Sequence, residues 1–208
     1  MDIFAVLSFL GAAILLTLMP GPDNLFVLAQ SIAKGKQAGI ATALGLCTGL
    51  LGHIAAAVIG LSALIYQSAL AFTIVKYAGV AYLLFLAYKA FRAKESGFGP
   101  LKADSLDYRA LYQKGVIMNL LNPKVSLFFL AFLPQFIQYE AGAVAGQMLV
   151  YGVIFLLQAL VLFSLISVFA GKIGTFLRKS PGLARKIHLI EGSLFAFIGL
   201  RIAFSDHK

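Results

Sequence analysis

Residues Thr17–Ala29 read TLMPGPDNLFVLA. Two prolines one residue apart, with Gly21 between them and Asp23 and Asn24 directly behind, interrupt an apolar run that otherwise reaches from Ile3 to Ile32. Proline lacks the N–H that a helix interior needs and is favoured at the first helical position, and glycine is an acceptable N-cap. The stretch therefore predicts a helix that stops and restarts at Pro20, Gly21 and Pro22. As one straight helix, Ile3–Ile32 would measure about 45 Å against a hydrocarbon core of about 30 Å, so a break also relieves a length mismatch. Backbone groups freed at that depth are not tolerated against lipid and require a protein-lined or watery cavity. The prolines thus mark a binding site.

Composition sets this stretch in a membrane. The 208 residues are 61% hydrophobic and 12% charged, with mean hydropathy +0.92, whereas soluble domains are nearer half apolar and a quarter charged. Apolar windows predict an all-α membrane protein with six transmembrane helices near 3–32, 39–65, 68–91, 111–137, 143–170 and 185–204. They form a single transmembrane domain, 1–208, with no room for a soluble catalytic domain. Asp2 stands where a signal peptide would carry basic residues, so no cleaved leader is expected. Cys47 is the single cysteine and lies inside a span.

The net charge of +9 follows the membrane rather than a nucleic acid. Lys34 and Lys36 lie at the first joint, Lys89, Arg92, Lys94, Lys102, Arg109 and Lys114 at the third, and Lys172, Arg178, Lys179, Arg185 and Lys186 at the fifth. The second and fourth joints, around Tyr66–Ser68 and Tyr139–Gly142, hold no lysine or arginine. The positive-inside rule makes the odd joints cytoplasmic and places both termini outside.

The third joint divides the chain into three-helix repeats, 1–93 and 111–208, joined by a cytoplasmic linker at 94–110. Three spans per half make the second half enter from the opposite side, as in an inverted repeat. Aligning Pro22 with Pro123 sets LMPGPDNLFVLA beside NLLNPKVSLFFLA, with Gly21 on Asn122 and Asp23 on Lys124. Helices 1 and 4 are thus both expected to break, and the restarted N-termini, positive by their dipoles, suit anionic substrate groups.

Pro20, Gly21, Pro22, then Gly35, Gly39, Gly45, Gly49 and His53, the Lys76, Gly79, Tyr82 set, and Asn122, Pro123, Lys124 with Pro134, Gln135 and Phe136 occur in this order along the chain. In these residues the sequence resembles the lysine-exporter/RhtB family of bacterial amino-acid efflux proteins, over essentially its whole length. The resemblance implies proton-driven export of an amino acid or derivative across the bacterial cytoplasmic (inner) membrane, with amino acid, protons and lipid bilayer as partners. Glu191, three residues after His188, departs from the family pattern.

The candidates for substrate binding or proton coupling are Asp23, Asn24, Asn119, Asn122 and Lys124, with His53 and Lys76. Asp23 either caps the restarted helix or is functional. An intramembrane carboxylate costs about 2.5–3.5 kcal/mol on insertion scales, which favours function. Lys124 opposes the dipole of its own helix and calls for a carboxylate nearby. His53 reads as a packing residue or a proton relay, Lys76 as a snorkelling or a cavity-lining residue. Gly45, Gly49, Gly52, Ala56 and Gly60 form a small-residue stripe for close helix packing, with a homo-oligomer face as the alternative. His53, His188 and His207 lack metal-ligand spacing, and neither paired acids nor a Ser/His constellation suggests an enzyme; no metal and no cofactor are expected. The rival reading is an exporter or channel for another small ion or metabolite on the same architecture.

Overall fold

The structure is a computed structural model that describes residues 2–19, 21–61, 69–92, 106–179 and 183–204. Among the described residues it is all-helical, with no strand.

Helix α1 (Ile3–Leu18) begins where the Asp2 carboxylate accepts from Phe4 N at 3.1 Å. It ends at Met19, whose ψ of 127° leaves the helical region. Helix α2 (Pro22–Lys34) restarts from Gly21, an extended residue at its N-cap, with Pro22 in the first turn. The two axes meet at 56°, as the proline pattern predicts. Gly35 alone separates α2 from α3 (Lys36–Ala56). Its φ of 89° lies in the left-handed region that favours glycine, and α3 then runs into a π-helical turn, Ala57–Leu61.

Helix α4 covers Ala69–Arg92. Helix α5 (Tyr108–Leu120) is capped by the Asp107 carboxylate, which accepts from Arg109 N and Ala110 N at 2.9 and 3.2 Å. Helix α6 (Pro123–Leu127) starts from Asn122, whose side-chain oxygen accepts from Lys124 N at 3.0 Å. The bend between α5 and the segment that α6 opens is 44°. Only five residues of α6 are regular before a π turn (Phe128–Phe132) and a 3-10 turn (Leu133–Phe136). Pro134 has no N–H and would crowd the carbonyl four residues back, and a widened turn followed by a tight one is how the chain ends that helix.

Helix α7 (Val144–Lys179) has 36 residues, against an expected end near 170. At 1.5 Å per residue it measures about 54 Å, so the charged turns from Lys172 continue as helix past the apolar stretch. Helix α8 covers Leu183–Ala203. By length and composition, two helical segments among the described residues are able to cross a bilayer, Lys36–Gly60 and Val144–Phe176, and up to four if each bent pair is one span. The chain is a multi-pass membrane protein.

Helices α3 and α5 approach each other backbone to backbone. A Cβ at Gly115 would lie 2.6 Å from the Thr42 carbonyl oxygen and 2.9 Å from Leu46 N, and one at Gly49 would lie 2.7 Å from the Val116 carbonyl oxygen. Gly45, Gly49 and Gly52 of the stripe thus face α5 within one chain, while Gly60 has nothing within 4 Å. Tyr108 and Tyr112 extend the contact by donating to Gln37 Oε1 and Thr48 Oγ1, each at 2.9 Å. Helix α7 packs along α1, α2 and α3, and α4 packs on α8, where Gly192 admits the Phe91 ring.

Candidate functional site

A broken helix leaves carbonyls at its first half's end and amides at its second half's start, and both need partners. At the end of α1 the partners are side chains from beyond each break. Asn24 Nδ2 donates to Thr17 O at 2.6 Å and Met19 O at 2.9 Å. Lys124 Nζ, from the other restarted helix, donates to Met19 O at 3.0 Å. The sequence suggests that Lys124 needs a carboxylate; the structure also gives it the negative end of α1, where a cation is favoured. At the end of α5, His53 Nε2 lies 2.9 Å from Asn119 O. A carbonyl only accepts, so the proton is on Nε2, and His53 closes this second broken end from α3 while its ring stacks on Phe129.

Asp23 sits in the first turn of α2 and is 6% exposed. Asn119 Nδ2 donates to its Oδ2 at 3.1 Å, and Asn122 and Lys124 lie near enough to act on the carboxylate electrostatically. Gly21, Asp23, Asn24, Asn119, Asn122 and Lys124 line one cavity with Thr17 and Cys47. Apolar walls come from Leu16, Leu46, Leu50, Val125, Phe155, Ala159 and Phe163. The centre of a water molecule has about 30 Å³ to move in, which is space for one or two waters. On one side Phe155 leads into a tight aromatic cluster with Phe128 and Phe129, at ring separations of 4.9 and 5.3 Å, continued by Phe9, Phe136 and Tyr151.

The structure thus brings five of the predicted polar residues to one cavity, with Gly21 from the break, and sets His53 behind Asn119. Pro22 and Pro123 begin α2 and α6. Pro20 lies outside the described residues, as do the side chains of Lys76, His188 and Glu191. Sequence reasoning did not find Thr17, Gln158 or Cys47 as site residues. Gln158, buried on α7, donates to Thr17 Oγ1 at 2.8 Å and so holds the end of α1 from a third side.

A family profile described as LysE type translocator matches residues 13–206. The chain belongs to this family. An uncharacterized membrane protein of Vibrio cholerae is 33% identical over 204 residues, covering 98% of both chains. A homoserine/homoserine lactone efflux protein of Salmonella typhimurium is 32% identical over 200 residues, covering 96% of both. An uncharacterized membrane protein of Bacillus subtilis is 31% identical over 168 residues, covering 76% of this chain and 80% of its own. No solved structure matches. As a LysE type translocator the chain is a transporter and not an enzyme, and the cavity at its two helix breaks is the place in the described structure where charged groups are gathered inside the helices.

Proposed function

We propose that this protein exports an amino acid or a close derivative across the bacterial cytoplasmic membrane in exchange for protons. The observation that carries the reading is one cavity, bounded by the ends of two broken helices, with a carboxylate on one restart and an ammonium on the other. The Salmonella relative's name, an efflux protein for homoserine and its lactone, supports the substrate class. Six spans in two inverted repeats, with the odd joints cytoplasmic and both termini outside, account for the two matching breaks and for the distribution of lysine and arginine.

In this reading Asp23 holds the substrate's ammonium group on the way out and a proton on the way back. A carboxylate, where the substrate carries one, faces the restarted N-termini and Lys124, whose ammonium is already engaged at Met19 O. A zwitterion moves no net charge, so the entering proton supplies the electrical drive, about 2.3 kcal/mol per charge per 100 mV. The cavity is too small for an amino acid, which suits a closed stage of a carrier that must open to either side, and a channel would need a continuous path. Exchange of labelled amino acids across proteoliposomes is the test. Asp23→Asn should abolish acceleration by a pH gradient, and conductance without exchange would favour the channel reading instead.

A further inference from the structure

Two buried oxygens in this cavity, Asp23 Oδ1 and Asn119 Oδ1, have no donor among the described groups. They belong to residues that are 6% and 2% exposed and both line the cavity. The Asn119 amide orientation follows from its neighbour. An ionised carboxylate only accepts, so the Nδ2 face must point at Asp23 Oδ2, 3.1 Å away, which leaves Oδ1 as an acceptor. The backbone beneath it is held by His53 at the Asn119 carbonyl.

The donors in the same cavity are engaged differently. Asn24 Nδ2 is committed to the Thr17 and Met19 carbonyls, Lys124 Nζ donates to Met19, and Asn122, whose oxygen accepts from Lys124 N, lies beside the Asp23 carboxylate without completing a bond to Oδ1. Buried acceptors without donors are costly, and more so when one is charged. What the cavity asks of an occupant is therefore hydrogen-bond donors that carry positive charge. A primary ammonium meets this with three N–H groups, one for each of the two oxygens and one to spare.

Resting on the export reading, we infer that Asp23 Oδ1 and Asn119 Oδ1 form a clamp for a primary ammonium group. This makes the ammonium the determinant of what is exported and the carboxylate dispensable. The substrate class is then amino acids together with their esters, amides and lactones, and it excludes N-acylated derivatives, which keep the carboxylate but lose the charge and two of the N–H groups.

The test uses the full-length protein in proteoliposomes. The twenty amino acids and homoserine are screened for exchange, and the fastest is then competed by its methyl ester and by its N-acetyl derivative. The ester should compete within a few-fold of the parent and the N-acetyl compound should be weaker by about 30-fold or more, the scale of lost hydrogen bonds to a charged group. Absence of exchange by any amino acid overturns the export reading itself. Exchange with equally strong N-acetyl competition, or with an ester as weak as the N-acetyl compound, overturns the clamp alone. Asn119→Leu adds a second readout, because a merely structural role weakens all three ligands in proportion, whereas loss of the clamp collapses the ester to N-acetyl selectivity ratio. If that variant fails to fold, the ligand series on the unaltered protein decides.

Discussion

Gly115→Ala is the substitution whose effect the geometry fixes most closely. Its Cβ would stand 2.6 Å from the Thr42 carbonyl oxygen and 2.9 Å from Leu46 N, both backbone atoms that no side-chain rotation moves aside. Restoring contact at 3.4 Å requires α5 to part from α3 by about 0.8 Å. Asn119 lies one turn further along α5 on the same face, and Asp23 is carried by α2, which packs on α3. The same displacement stretches the Asn119 Nδ2 to Asp23 Oδ2 bond from 3.1 Å to roughly 3.9 Å, beyond hydrogen-bond range. A hydrogen bond to a charged group is worth about 1.5–3 kcal/mol, so apparent affinity should fall by about 10- to 100-fold. The assay is substrate concentration dependence of exchange in proteoliposomes, with thermal stability in detergent as the check on folding. Gly11→Ala is the control. It is exposed on α1 with nothing within 4 Å of the added carbon, and should leave transport unchanged while gaining helix propensity of up to about 1 kcal/mol. An intact Gly115→Ala protein with unchanged affinity would refute the idea that α3–α5 contact sets the site.

Cys47 is the single cysteine, lines the cavity and is 6% exposed. Its reaction with a small maleimide should slow severalfold at saturating substrate, and unchanged labelling during active exchange would remove it from the site. Pro22→Ala and Pro123→Ala should insert normally, since apolarity is kept, but transport should drop by about tenfold or more as the freed N–H favours continuous helix; normal rates in both would reduce the prolines to tolerated kinks. In a Cys47→Ala background, Glu140→Cys should react with an impermeant reagent added to intact cells and Gln37→Cys should not. The reverse pattern would invert the orientation.

The helix breaks were legible because proline acts locally: Pro22 and Pro123 forbid an N–H bond whatever surrounds them. Segment ends were legible to within a few residues wherever charge met apolar sequence. The exception is α7, where Lys172–Lys179 continues as helix because lysine and arginine are good helix formers once outside the apolar layer. Asp23 and Lys124 line one cavity, and their matching places behind Pro22 and Pro123 gave a reason in the sequence to look at the two together. Lys124 binding the Met19 carbonyl was not legible, because a free carbonyl has no signature in residue identity and the contact spans 105 positions. Gln158 to Thr17 spans 141. Cys47 was not legible as a site residue, since nothing in its spacing tells which face of α3 borders the cavity.

The corner at Gly35 has a mechanical consequence. Helices α2 and α3 are joined by one residue and pack on each other, so the two should move as a single crank. Any tilt of α2 that swings Asp23 is transmitted to Leu46, Cys47 and Leu50 on α3, which border the same cavity. Those two walls travel as one body, and room for a substrate has to come from sliding this crank against α5 and α7. In the export reading, opening is then a motion of packed helices, on the microsecond to millisecond scale of such shifts, with the Gly35 corner carried along intact.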